Sequence, residues 1–325
     1  MAEAKAKFAA DIAAGDGVED VFVLADKSMA HKRDGNPYLN LTLADKSGQI
    51  KGVVWDDVAR IAAVAQTGDF VRVSAQAGEY RGALQLVVKH MIAVPVASVA
   101  PEDFLATTSR NVDQMFDRLK AVTDTMSSKP LHALMHALWG DPELVRQFKR
   151  APAAKMMHHA YIGGLLEHTL SMVLLADKIA SHYGGLDRDL LLAGAVLHDM
   201  GKTRELSYGH SLDYTDEGRL LSHIIIGVEL VNEKIQSIPD FPPEQAALLK
   251  HMIVSHHGAR EFGSPEPPKT IEAVLLNYID EIDSRVNAIR EFIAADDPDA
   301  SWTSYHRLLA RHFFKGGPEA SNDSP

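Results

Sequence analysis

The chain reads as two folds in succession, a small five-stranded β-barrel and then an all-helical domain. Three observations predict this. From about Gly15 to Val96, apolar and polar residues alternate in short runs separated by turn signals, which is the period of half-buried strands. After Pro95 the apolar spacing changes to that of helices and stays so to about Phe314. Ten of the sixteen histidines fall between His158 and His257, inside the helical half.

The first three strands lie in VEDVFVLADKSMAHKRDGNPYLNLTLADKSGQIKGVVWD, which breaks at Asp34-Gly35-Asn36-Pro37 and at Lys46-Ser47-Gly48. A short alanine-rich helix from about Asp57 to Ala65 follows. GDFVRVSAQAGEY and ALQLVVKHMIAV supply two more strands, turning near Arg81-Gly82. Five strands with a helix between the third and fourth fit a Greek-key barrel of the OB type. Pro101-Glu102 then opens a short helix, and Ser109 is placed to cap the next by accepting from a free first-turn amide. Gly184-Gly185, Pro239 to Pro243 and GSPEPPKT interrupt the helical stretch. The expected divisions are an N-terminal extension at 1–14, the barrel at 15–97, a helical connector at 98–150, the helical domain at 151–315 and a flexible polar tail at 316–325.

Bulk properties narrow the chemistry. The 325 residues are 46% hydrophobic, enough for more than one core. With no cysteine, disulfides, thiolate metal sites and cysteine nucleophiles are excluded. The lysine-spiked opening MAEAKAKFAADIAAGDG lacks the apolar core of a secretory signal, and no stretch approaches the length of a membrane span, so a cytoplasmic protein with no membrane partner is expected. A net charge of −11 argues against a broad basic surface and confines any nucleic-acid binding to a local groove.

Polar groups recur on apolar helices in the second half. His168, in GGLLEHTLSMVLLADKIA, shares a face with Leu165, Met172 and Leu175. LLLAGAVLHDMGKTRE runs through an apolar segment and ends in His198 and Asp199, with Gly201 and Lys202 just beyond. His223 lies in RLLSHIIIGVELV, His256 and His257 close KHMIVSHHG, and Asp280 lies in AVLLNYIDEID between Leu276 and Asp283. A single histidine on an apolar face is ordinarily a satisfied core residue. Seven metal-competent groups on five segments are different, because burying them without a shared partner incurs several desolvation penalties at once. One or two divalent cations offset those penalties together, since neutral imidazole and carboxylate are good ligands for such ions.

The order His168, His198-Asp199, Asp280 resembles the metal signature of HD-domain phosphohydrolases, and His223 with His256-His257 adds the ligands of two-metal members. GGLLEHT, LHDMGK, YTDEGRLLSHI, SHHGAREFGSPEPPKTIEA and YIDEIDSR are similar to the YhaM-like 3′–5′ exoribonucleases, which join an OB-fold to an HD domain. The similarity runs from about 15 to 315 and includes WTSYHRLLARHFFKG. Three departures stand out. Gly263-Ser264-Pro265 replaces the GYP of related cyclic-dinucleotide phosphodiesterases, which weighs against that substrate. The third-metal glutamate of some relatives falls at Gly164, so two ions are expected. Ser222 stands where a glycine is expected, a change read as one of packing only.

The resemblance implies a metal-dependent 3′–5′ exoribonuclease that releases nucleoside 5′-monophosphates from single-stranded RNA, with single-stranded DNA left open as a substrate. It implies two divalent ions, manganese first, with iron, cobalt or magnesium as alternatives. Such ions supply an activated water and neutralise phosphoryl charge. Our assignment puts His168, His198 and Asp280 on one ion and His223, His256 and His257 on the other, with Asp199 bridging. Gly201 is read as permitting a tight turn, Lys202 as a phosphate ligand and catalytic residue, and Arg204 as a second phosphate contact or an exposed ion pair. His158 and His159, in AAKMMHHAYIGG, match a His-His pair of the family and are read either as assisting the leaving group or touching substrate, or as structural. Asp283 either orients a ligand or pairs with Arg285 or Asn287.

An OB barrel holds a strand with stacking side chains and a cationic groove. Alternation turns Leu39, Leu41 and Leu43 inward and Tyr38, Asn40 and Thr42 outward, and the same parity sets Lys51 with Trp55 and Phe70 with Arg72. Tyr38, Lys51, Arg72, Tyr80 and Arg81 are the candidate RNA contacts. Two other functions remain open on sequence: an HD hydrolase of small nucleotides, and a non-catalytic nucleic-acid-binding adaptor. Symmetric self-association into a homo-oligomer is the common default.

Overall fold

The structure, a computed structural model, describes residues 5–32, 34–155, 159–209 and 212–316. The chain divides into two compact units, residues up to 108 with 207–213, and 109–206 with 214 onward.

The first unit is a closed barrel in the order β1-β2-β3-β5-β4, formed by β1 (Gly17–His31), β2 (Pro37–Asp45), β3 (Gly48–Val54), β4 (Phe70–Tyr80) and β5 (Ala83–Val94). Helix α1 (Val58–Ala62) links β3 to β4. All pairings are antiparallel except the closing one, where Lys51 to Val53 run parallel to Gln85 to Val87. Closure leaves no unpaired sheet edge. Alternate residues Leu39, Leu41 and Leu43 point inward with Phe22, Leu24, Ile50, Val73 and Leu86 into one core. At the β4–β5 turn Arg81 (φ 54°) and Gly82 (φ 77°) are both left-handed, the two-residue turn whose twist matches the flanking strands.

Two outward assignments are corrected. Thr42 is buried because Lys51, its cross-strand partner, lies over it and donates from Nζ to its Oγ1 at 2.8 Å. Phe70 is buried against Phe104, ring centroids 4.6 Å apart, in a small second cluster with Val21 and Val99. The described part of the N-terminal extension also packs on the barrel, with Ala9 and Ile12 in its core.

The second unit contains α2 (Val112–Thr123), α3 (Lys129–Trp139), α4 (Pro142–Arg150), α5 (Gly164–His182), α6 (Arg188–Leu197), α7 (Lys202–Glu205), α8 (Asp216–Gln236), α9 (Pro243–Ser255) and α10 (Ile271–Ala295). Side-chain caps fix several starts: Asp187 accepts from Leu190 N, Thr215 from Gly218 N and Thr270 from Ala273 N. The cap of α2 is Asn111, accepting from Gln114 N, and not Ser109. All of Asp189 to Leu197 in α6 is buried, so it is the central helix.

The helical half is not wholly helical. Strands β6 (Leu206–Tyr208) and β7 (Leu212–Tyr214) form a two-stranded ribbon, each too short to show a period in sequence. Helix α10 ends before Asp296-Asp297-Pro298, since proline disfavours helical backbone in the residue ahead of it. The chain then runs irregularly to 316, tied by bridges between Trp302 and Phe314 and between His306 and Arg311. No helix among the described residues is long and apolar enough to cross a membrane.

Candidate metal centre

Five chain segments deliver the candidate ligands, and close backbone contacts fix their positions. Helix α5 carries His168 and begins at Gly164, where a Cβ would lie 2.1 Å from the His159 carbonyl oxygen. Helix α6 ends at Leu197 with His198 as its cap residue, and Asp199 follows in the turn. Gly201 has ordinary helical angles (φ −63°), so the tight-turn reading is corrected. A Cβ there would lie 2.0 Å from the His223 carbonyl oxygen, and the glycine lets the start of α7 touch α8.

Ser222 interrupts α8 at φ 61° and ψ 159°, a conformation that strains any residue with a Cβ. The glycine expected there is thus a matter of backbone strain and not of packing. The break turns the His223 amide onto Glu205 Oε1 at 2.8 Å. His256 caps the C-terminus of α9, with His257 next, and Asp280 and Asp283 project from α10.

Each imidazole is held through Nδ1. His198 donates to Ala195 O at 3.0 Å, His256 to Ile253 O at 2.7 Å and His257 to Phe262 O at 3.1 Å. A carbonyl only accepts, so in all three the hydrogen is on Nδ1 and Nε2 is left with a lone pair. His168 Nδ1 meets Asp283 Oδ2 at 2.8 Å, and His223 Nδ1 meets Glu205 Oε1 at 3.0 Å, so a carboxylate holds each of these rings by Nδ1 and aims its Nε2 at the cluster.

The Nε2 atoms converge. Those of His168 and His198 face each other at 3.2 Å. Asp199 Oδ2 lies 3.7 Å from His168 Nε2 and 3.4 Å from His198 Nε2, while its Oδ1 lies 3.5 Å from His223 Nε2 and 3.6 Å from His256 Nε2. Asp280 Oδ1 is 3.4 Å from His168 Nε2. Ligand atoms of His168, His198 and Asp280 lie within 4.8 Å of one another, and so do those of His223, His256 and His257. His198 and His256 are wholly buried and Asp199 is 3% exposed, yet Asp199 Oδ1, His223 Nε2 and His256 Nε2 have no hydrogen-bond partner. Lone pairs aimed at each other in a low-dielectric interior repel, and a cation among them removes the repulsion and the desolvation penalty together. The donor set of imidazole and carboxylate suits a divalent metal ion.

Titration follows the same geometry. Burial disfavours the His168 cation, but the hydrogen bonds it donates to the Asp280 and Asp283 carboxylates outweigh it and lift His168 to about 9. Burial beside His257 and His198 holds His256 well below the usual imidazole range. Asp199 is buried, which would raise it, yet Lys202 and the surrounding imidazoles hold it well below the usual carboxylate range.

The other candidates divide. Lys202 Nζ lies 2.6 Å from Asp199 Oδ2 and is only 15% exposed, so it is not a surface lysine. Arg204 is in an ion pair with Glu217, its Nε 3.2 Å from Oε2, and does not join the cluster. His159 is buried beside His168, with Nε2 3.3 Å from Asp283 Oδ2 and Nδ1 2.8 Å from the Tyr161 hydroxyl. His158 lies outside the described residues. Asp283 orients His168 and is also hydrogen-bonded by Ser171, while Arg285 pairs with Glu281. Sequence reasoning missed Glu205 and Ser171. Glu205 reads as one more charge in a polar helix end, and Ser171 follows His168 at the common helical spacing of three.

On the barrel, Tyr38 packs on Trp55 with centroids 5.1 Å apart, and Lys32 Nζ sits 4.8 Å from the Trp55 ring. Tyr80 and Arg81 meet at the β4–β5 turn, the guanidinium 5.3 Å from the ring. Lys51 is tied to Thr42. Arg72 lines a different cavity with Lys5, Asp20 and Asp103.

Comparison with known proteins follows this division. Residues 165–285 match the HD domain model, and 23–94 match a model described as an OB-fold nucleic acid binding domain. Residues 96–184 also match a model described as a putative helicase. The 3′–5′ exoribonuclease YhaM of Bacillus subtilis is 33% identical over 302 residues, 93% of this chain and 95% of that protein. This chain belongs to the YhaM family of 3′–5′ exoribonucleases. The YhaM of Listeria innocua is 34% identical over 289 residues, 89% of this chain and 91% of that protein. Among solved structures, the second OB-fold domain of replication protein A from Methanococcus maripaludis covers 27% of this chain and 93% of its own, at 18% identity and a TM-score of 0.23.

Proposed function

We propose that this chain is a metal-dependent 3′–5′ exoribonuclease that shortens single-stranded RNA to nucleoside 5′-monophosphates, with single-stranded DNA as a second substrate. The observation that carries the metal reading is the set of imidazoles tied through Nδ1, with Nε2 atoms converging on one buried carboxylate. The RNA and direction readings draw on the YhaM relatives, named 3′–5′ exoribonucleases, which align over nearly the whole chain.

The donors suit two divalent ions. His168, His198 and Asp280 would hold one and His223, His256 and His257 the other, with Asp199 between the two groups as a shared carboxylate. Manganese is the proposed metal, with iron, cobalt or magnesium as alternatives, since donor chemistry alone does not choose. When bound, such ions activate water near neutral pH and neutralise phosphoryl charge. Asp283 and Glu205 fix the tautomers of His168 and His223 and aim their Nε2 atoms. Lys202, beside Asp199, is the cation available to a non-bridging phosphoryl oxygen as negative charge develops. The barrel holds the strand, with the Tyr38–Trp55–Lys32 group as its stacking and cationic surface. Self-association and a cytoplasmic location complete the reading.

A 5′-labelled single-stranded oligoribonucleotide with manganese tests it. Wild type gives a ladder shortening from the 3′ end, and Asp199→Ala keeps its helical circular dichroism while losing about 10³-fold or more in rate, or roughly 4 kcal/mol of barrier. An intact oligomer with hydrolysis of mononucleotides would instead identify a small-nucleotide hydrolase. RNA binding without metal or cleavage would identify an adaptor.

A further inference from the structure

Behind the ion-facing side of His168 lies an open cavity of about 350 Å³ within the helical unit. Two acids line it, and both are already satisfied. Glu167 is held by Arg110 Nε at 3.1 Å and by the Tyr161 hydroxyl at 3.1 Å. Asp283 accepts from His168, His159 and Ser171.

Three cations in the same lining are without an ion-pair partner. Arg118 of α2, Lys178 of α5 and Arg290 of α10 are exposed and, among the described residues, pair with no carboxylate. Three helices thus place positive charge around one concavity in a chain whose net charge is −11. Leu174, Ile282 (49% exposed) and Val286 (41% exposed) add apolar surface to the same lining. A bare anion has no use for that surface. A planar base carrying a phosphate uses both, and the volume falls in the range of small-ligand sites.

We propose that this cavity is a nucleotide subsite. It takes a nucleoside 5′-monophosphate unit, the phosphate on Arg118, Lys178 and Arg290 and the base against Leu174, Ile282 and Val286. The proposal deepens the exoribonuclease reading and rests on it for the choice of ligand. The unit comes either from the RNA strand or from released mononucleotide. Asp283 forms part of the inner wall and holds His168 by a single hydrogen bond, so the subsite adjoins the metal centre without supplying a ligand to it.

The test compares wild type with the triple variant Arg118→Gln, Lys178→Gln, Arg290→Gln in the full chain. 5′-AMP is titrated by calorimetry with chelator present to empty the ion sites. RNA digestion and hydrolysis of bis(p-nitrophenyl) phosphate are followed with manganese. The expected result is micromolar-to-millimolar 5′-AMP binding by wild type, weakened about tenfold or more in the variant, with hydrolysis of the small ester within twofold. A raised KM for RNA alongside assigns the site to a nucleotide of the strand, and an unchanged KM assigns it to free mononucleotide. No 5′-AMP binding by wild type, or equal binding by both proteins, overturns the proposal. Because the titration needs no cleavage, failure of the exoribonuclease reading is seen separately, as wild type that leaves RNA intact.

Discussion

Each unit of this chain buries a cluster of charge, and the two clusters end differently. In the barrel unit, Lys5 Nζ lies 3.4 Å from Asp45 and 3.7 Å from Asp20, donates to Val21 O at 2.6 Å and sits 3.5 Å from the Phe22 ring centroid. The carboxylates accept further bonds, Asp20 from the amides of Ala6 and Lys7 and Asp45 from that of Ala9. That cluster closes on itself. In the helical unit Asp199 is as deeply buried, yet one of its oxygens and two facing imidazole nitrogens have no partner. Burial of charge is therefore no sign of a functional site by itself. What separates the two is whether the chain satisfies its own polar atoms.

The largest effect that tests this contrast is on stability. Lys5→Met leaves two buried carboxylates without their cation and is expected to cost about 3 kcal/mol in urea unfolding. Metal content should not change. Lost metal in this variant would mean that the two clusters are not independent.

Glu205→Gln attacks the open cluster through its support. It loosens the tautomer and aim of His223, and metal affinity should fall roughly 10- to 100-fold in a competition titration with a fluorescent chelator. Unchanged affinity would remove Glu205 from the site. Ser222→Gly relieves the left-handed backbone ahead of His223, and urea unfolding should show a gain of about 1 kcal/mol. A loss would mean that the hydroxyl matters more than the backbone.

The smallest effect is in protons. Metal-free His168 titrates near 9, above its ordinary 6.5, so its cation stabilises the metal-free fold fully below 6.5 and that contribution is lost as pH rises through 9. A metal ion must displace this proton. Uptake at pH 7.5 should release about one proton from His168, seen as a dependence of calorimetric heat on buffer ionisation enthalpy. Affinity should rise with pH until about 9.

The parts legible in sequence are those with a period or a spacing. Alternation marked the five strands, and apolar helices ending in or enclosing His168, His198, His223 and His256 marked the ligands. Other features depend on distant contacts that no local pattern encodes. Glu205 matters because a kink seventeen residues later, at Ser222, aims His223 at it. Gly201 matters because α8 passes against it. Phe70 and Thr42 look outward by parity, but Phe104 and Lys51 cover them. The strain at Ser222 was visible only as an unexpected residue, without its reason.

Anomalous diffraction from crystals of this chain grown with manganese tests the central claim most directly. The account predicts two peaks at coordination distance, one among His168, His198 and Asp280 and one among His223, His256 and His257, with Asp199 touching both. Peaks elsewhere, or none beside Asp199 at saturating manganese, would contradict it.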